Sequence, residues 1–260
     1  MLDTTPDTLT LQAVVNFTNP TPYTAHIPYA NIHILHNNTV IASASVTDLD
    51  VVEGANPDVV VKATWDPSMG GKEAPHISRE LLSQYLSGYN TTLTVKPHSK
   101  SIPGQPILCD ALSRFNATFS TPRMDLPGGG GDGTGKNKSS QFVQDATFHF
   151  LTSAAEFTLA SPLEHNTVYL DYVNATAFYN HTEPVGRILY GTPFAAPPGR
   201  SRTPRLPVRW VVGGGGYDAI RNAVGGTLEL DAFAYVDVRL GNWRQSVWYR
   251  GRGIGAAIRL

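Results

Sequence analysis

Between Leu228 and Leu240 every second residue is apolar: Leu228, Leu230, Ala232, Ala234, Val236, Val238 and Leu240 share one side of the chain. Glu229, Asp231, Phe233, Tyr235, Asp237 and Arg239 take the other. A period of two fits a β-strand with one buried face, and it recurs along most of the sequence. Leu9, Leu11, Ala13, Val15 and Phe17 lie opposite Thr10, Gln12 and Asn16; Ala30, Ile32 and Ile34 lie opposite Asn31, His33 and Leu35; Val59, Val61, Ala63 and Trp65 share a face. A chain patterned this way points to a β-sandwich, each strand with one buried face. The 24 glycines and 19 prolines, with only 16% charged residues, suit short connections between strands rather than long salt-bridged helices. Breaks fall where turn chemistry predicts them, at Thr18-Asn19-Pro20-Thr21-Pro22, His36-Asn37-Asn38-Thr39 and Gly241-Asn242. The strand at 228–240 is long enough to predict a bend or bulge, and strands are expected on either side of a tight turn at Gly251-Arg252-Gly253.

Two segments depart from this period. Ile77, Leu81, Leu82, Tyr85 and Leu86 recur at helical spacing, with Ser78 placed to cap the start and Gly88 suited to the position after the end. A second short helix is expected over Tyr217–Val224, closed by Gly225-Gly226.

The two halves repeat each other. Asn31, Asn37 and Thr39 recur 143 positions on as Asn174, Asn180 and Thr182, Trp65 recurs as Trp210, and each half runs strand, turn, strand, short helix, strand. The run Pro127 to Gly135, with four consecutive glycines and a Lys/Asn/Ser tail, has almost no apolar side chains and reads as a linker or loop. The expected organisation is therefore all-β: a first β-sandwich at 8–120, a Gly-rich linker or loop at 121–141 and a second β-sandwich at 142–260, each sandwich with one short helix.

Charge and cysteine usage restrict the function classes. Twenty basic residues against 21 acidic ones give a net charge of -1, so no field favours nucleic acid or an anionic membrane. Cys109 is the only cysteine, which rules out an internal disulfide and a cysteine metal cluster and by itself leans towards a reducing compartment. Seven Asn-x-Ser/Thr sequons argue the other way: Asn16, Asn37, Asn90, Asn116, Asn137, Asn174 and Asn180 are N-glycosylation candidates, where about two or three would arise by chance. The expected compartment is lumenal or extracellular. Residues 1–7 have no basic and apolar leader, and no stretch approaches the ~20 apolar residues of a span, so a targeting or anchoring segment is expected upstream of Met1.

No catalytic constellation is found in the sequence. Gly251-x-Gly253-x-Gly255 is not a dinucleotide fingerprint, and Gly213 to Gly216 lacks the Lys-Ser/Thr of a phosphate loop. His33 and His36 are set for opposite faces; the eight histidines read as surface residues able to sense acid pH, not as a metal site. Cys109 has no basic partner nearby, Asp48, Asp50 and Glu53 read as a solvated turn, and Arg200, Arg202, Arg205 and Arg209 as a basic edge or two solvated loops. No cofactor, metal or catalytic residue is expected. Phe233, Tyr235, Trp243 and Trp248 are the candidate interaction surface; packing between the two sandwiches is the competing use for them.

Phe17-Thr18-Asn19-Pro20-Thr21-Pro22-Tyr23, an Asn-Pro break between two alternating strands, resembles the type 2 late-embryogenesis-abundant β-sandwich, a fold of the immunoglobulin-like or fibronectin-like kind. Asn174-Ala175-Thr176-Ala177-Phe178-Tyr179-Asn180, Gly226 to Ala232 and Trp248 to Ala256 resemble a fungal vacuolar membrane protein family, often labelled "pre-rRNA processing protein", whose better-understood members terminate autophagy. The resemblance implies a short cytosolic tail and one membrane span upstream, followed by several lumenal sandwiches of which these would be the last two. It also implies a protein partner at the vacuolar membrane and membrane contact through the upstream span, while the near-neutral charge leaves no nucleic acid expected. Two other readings stay open: a lipid- or glycan-binding β-sandwich, and the pre-rRNA processing factor of the family label, which the near-neutral charge and the sequons oppose.

Overall fold

The alternating segments are strands in the computed structural model of the protein, which describes residues 1, 3–121, 142–161 and 163–260. The expected Gly-rich linker, apart from Thr121, and the sequon at Asn137 lie outside the described residues. The chain divides into two units: Met1–Leu81, Thr91–Thr121 and Gly241–Trp243 form the first, and the described residues of Leu82–Asn90, Pro122–Leu240 and Arg244–Leu260 the second.

The first unit is one antiparallel sheet. Its strands are β1 (Asp3–Thr4), β2 (Leu9–Asn19), β3 (Ala25–His36), β4 (Thr39–Val51), β5 (Gly54–Trp65), β6 (Thr92–Pro97) and β7 (Ala117–Ser120), in the order β1-β2-β5-β4-β3-β6-β7. The sheet is continuous only near its helix. β4 pairs with β5 from Ala42 to Ser45, after which β2 and β5 run on together to Asn19↔Gly54, and β3 and β4 to Ala25↔Val51. The far part of the unit is thus two separate two-stranded ribbons. The core sits at the joined end, where Ile41, Ala42 and Leu81 pack with Ile34, Trp65, Ile77 and Leu93.

The helix behind that core, α1 (Ala74–Leu86), starts three residues before the expected Ile77. Ser78 is therefore inside it, and its buried hydroxyl donates back to the Ala74 carbonyl at 2.6 Å instead of capping the start. Gly88, at φ 77°, ends the helix as expected, with the Tyr89 N–H donating to the Gln84 carbonyl. A further helix, α2 (Pro106–Leu112), has no counterpart in the sequence reading. It opens on proline, and its buried residue is Cys109, while Ile107 and Leu108 are exposed, so no apolar period announces it.

The second unit repeats the strand order and then closes it. Its strands are β8 (Val143–His149), β9 (Ala154–Ser161), β10 (Val168–Tyr179), β11 (Glu183–Tyr190), β12 (Phe194–Ala196), β13 (Gly199–Arg202), β14 (Leu206–Trp210), β15 (Thr227–Leu240) and β16 (Trp243–Arg259), with α3 (Gly215–Asn222) before β15. The path β9-β14-β11-β10-β15-β16 reproduces β2-β5-β4-β3-β6-β7 strand for strand. Here β8 pairs antiparallel with β9 and parallel with β16, and β10 pairs with both β11 and β15, so the circuit is closed into a barrel. Phe148, Val185, Ile188, Leu206, Ile220, Leu230, Ile254 and Ile258 fill it. Both domains are all-β, as the alternation predicts.

Two local expectations change. The tight turn at Gly251-Arg252-Gly253 is absent: β16 runs through it for 17 residues. Gly253 takes φ 60° within the strand, and its N–H donates to the Asp231 carboxylate at 3.0 Å. A side chain at Gly251 would meet Ile254 and Tyr249, so that glycine serves packing rather than turning. The irregularity expected in the long strand β15 appears on its partner, where β10 shifts register between Leu170 and Tyr172.

Candidate interaction surface

The outer face of the second unit's sheet is built by three neighbouring strands. On β10, Val173, Ala175 and Ala177 turn to the core, which puts Tyr172, Asn174 and Thr176 outward. Register sets Tyr235 of β15 and Leu189 of β11 directly across from Asn174, and Phe233 across from Thr176. Tyr235 is 57% exposed and Leu189 55%, one on each side of Asn174. Phe233 meets Tyr235 edge to face at 5.1 Å between centroids, and the Arg250 guanidinium stands over Phe233 at 5.8 Å. Farther along, the Arg239 Nε donates to both oxygens of Asp171 at 3.0 and 3.2 Å and its guanidinium lies 4.4 Å from the Tyr169 ring.

The four aromatic residues singled out in the sequence do not form one surface. Phe233 and Tyr235 are together on this face, and Trp248 lies on the same side of β16, between Ser246, whose hydroxyl donates to Asp237, and Arg250 over Phe233. Trp243 is buried at 7% exposure. Trp248 is half-buried, edge-on to Tyr89 at 6.1 Å, with its backbone N–H donating to the Ser83 hydroxyl at 3.0 Å. The sequence reading missed Tyr172 and Leu189. Tyr172 was within reach, since it stands two residues before Asn174 on an alternating strand; Leu189 needed the strand register.

In the first unit the β2/β5 ribbon leaves both of its faces open. Val14 and Val60 pair on one side, and Val15 points to the other, yet Val14 is 61% exposed and Val15 42%. β1 covers the outer edge of β2 only at Leu9 and Thr10, and among the described residues no strand lies along that edge from Leu11 to Asn19. This stretch carries neither charge nor proline, the usual protections of a free edge.

All six described sequon asparagines are exposed: Asn16, Asn37, Asn90, Asn116, Asn174 and Asn180. Asn37 and Asn180 occupy equivalent hairpin tips. Asn16 stands at a bulge in β2, its carboxamide oxygen accepting the Asp58 N–H at 2.8 Å.

Several ionisable groups are engaged in local structure. His36 is buried, with Nδ1 2.9 Å from the Thr92 carbonyl, so it is not the surface histidine expected. His33 stacks on His98 at 4.1 Å, and burial together with the neighbouring ring holds its pKa below the usual value; burial and Lys100 do the same for His98. For Asp231, partial burial raises the carboxyl, but hydrogen bonds from His181 and the Gly253 N–H outweigh it and leave the group lowered. The Cys109 thiol is fully buried and bonds the Ile102 backbone. Asp50 pairs with His26 at 2.7 Å, and Arg205 with Glu156 at 3.0 Å. Among the described residues no three His, Cys, Asp or Glu side chains are grouped to hold a metal ion. No helix of the described residues is long and apolar enough to cross a membrane.

Two family models match the chain. Residues 1–109 match the Tag1-like fourth LEA-2 like domain, and residues 135–248 match the Tag1-like fifth LEA-2 like domain. No curated protein matches it.

Proposed function

This chain consists of two consecutive Tag1-like LEA-2-like domains, and on that premise we propose that it is a non-catalytic interaction module working in the lumen of the secretory pathway. The observation that carries this reading is the exposure of every described sequon asparagine, including the matched hairpin tips Asn37 and Asn180. The compartment is the vacuole, with membrane contact through a span upstream of these domains, and the process served is the regulation of autophagy; both follow from the family resemblance of the Asn174–Asn180 and Trp248–Ala256 segments.

The protein partner binds the uncharged outer edge of β2. Its backbone donors and acceptors and its exposed Val14 and Val15 suit a strand supplied by that partner, which gains main-chain hydrogen bonds along Leu11–Asn19. A Val15→Lys variant should abolish capture of the partner while leaving the chain folded. The compartment is tested by peptide mapping of protein isolated from its native source, before and after endoglycosidase. Modified Asn16, Asn174 and Asn180 are expected; unmodified asparagines at all three sink the lumenal reading. Removing the two domains from the full-length protein should leave autophagic flux persisting when it would otherwise stop, and an unchanged time course argues against the regulatory role.

A further inference from the structure

The outer face of β10, β11 and β15 cannot recruit a partner by strand addition, because β10 is already hydrogen-bonded on both sides. Whatever covers Tyr235 and Leu189 must lie flat on the face. Asn174 stands at the centre of that face, directly between Tyr235 and Leu189, with Tyr172 two residues before it and the sequon hydroxyl of Thr176 two residues after it on the same side. We propose that Asn174 carries an N-linked glycan whose first N-acetylglucosamine lies on Tyr235 and Tyr172, so that the protein's own carbohydrate covers this aromatic shelf. The inference rests on the lumenal reading above.

The chemistry fits at both ends. The Asn174 Nδ2 forms a bond to the anomeric carbon of a polyprenyl-pyrophosphate-linked oligosaccharide. The carbon–oxygen bond to pyrophosphate breaks with its electron pair leaving on the pyrophosphate, and the amide gives up one proton. Once attached, a pyranose presents a face of axial C–H groups, weakly positive, to the negative face of an aromatic ring. Directly opposed residues in a sheet have Cβ atoms about 4.5–5.5 Å apart, so the first sugar reaches Tyr235 without bending the backbone. A polypeptide docking on the same face would have to displace whatever stands on Asn174, its central residue.

The test uses the full chain, secreted from a glycosylating eukaryotic host, with glycopeptide mapping and thermal melting. Asn174 is expected to be occupied. Trimming the glycan to its single protein-linked N-acetylglucosamine should leave the melting temperature unchanged, whereas Asn174→Gln should lower it by about 2–4 °C. In a Tyr172→Ser, Tyr235→Ser background, Asn174→Gln should have no further effect. If that double variant is not secreted, nuclear Overhauser contacts between the sugar C–H groups and the Tyr235 ring of trimmed wild-type protein read the same packing. An empty Asn174 beside occupied sequons overturns the proposal and leaves the lumenal reading standing, as does an equal loss of stability in both backgrounds. Bare asparagines at every sequon in native protein overturn both.

Discussion

At residue 98 a histidine is held between two demands. Its Nδ1 accepts the Lys100 N–H at 3.2 Å, so the ring proton sits on Nε2 and is donated to the Asn31 carboxamide at 3.0 Å. A second proton on Nδ1 removes the acceptor and places an imidazolium beside Lys100 and against His33. Both histidines have pKa values below the ordinary 6.5, so as pH falls the unfolded chain takes up protons first. Their stabilisation is whole above about pH 6.5 and is lost as pH drops through the folded values. Calorimetry at pH 7, 6 and 5 should show the first unit losing stability with acid, and His98→Gln should flatten that dependence. Gly70 is under a different constraint. A Cβ there would run into the Val40 carbonyl and the Ala74 methyl, so Gly70→Ala should cost about 1–3 kcal/mol by overpacking, measurable as a lower denaturation midpoint.

Hairpin turns carry the repeat from sequence into structure. Asn37 and Asn38, at φ 48° and 61°, join β3 to β4; Asn180 and His181, at φ 50° and 69°, join β10 to β11. Two successive left-handed residues define the I′ turn, whose twist matches that of paired strands. Asn38→Gly should therefore raise stability by a few tenths to about 1 kcal/mol, and Asn38→Val should lower it by about 1–2 kcal/mol, as read from urea midpoints. Asn38→Gly keeps the sequon at Asn37. These turns, the long alternating strands and the helix ended by Gly88 were legible in the sequence because each depends on a period or a local backbone preference. α2 was not, since its buried face is a single cysteine. Nor was the continuity of β16, because a glycine held by a distant carboxylate looks in sequence like any turn glycine. On the candidate surface, Tyr172 and Asn174 are two residues apart and readable together. Tyr235 and Leu189 meet them only through pairings of strands far apart in sequence.

The two units share one strand order and differ in closure. In the second, β8 spans from β9 to β16 over seven residues; in the first, the strand in the place of β8 is the two-residue β1, and the circuit stays open. Open ribbons have few buried apolar contacts to resist local opening. Hydrogen exchange should reach the amides of β2 and β5 between 13 and 19 and between 54 and 61 well before those of β8 and β16. Equal protection in the two sets would show that the ribbon is covered in solution.

Parallel pairing of β8 with β16 also has a consequence in time. The closing register joins Asp145–His149 to Gly255–Arg259, segments about 110 residues apart, and contacts of such separation form late. During synthesis β8 emerges long before its partner exists, so until residues 255–259 arrive the second unit holds a half-paired strand exposed to its neighbours and to chaperones. The arrival of residues 255–259, rather than the folding of any single hairpin, sets the moment at which that edge disappears.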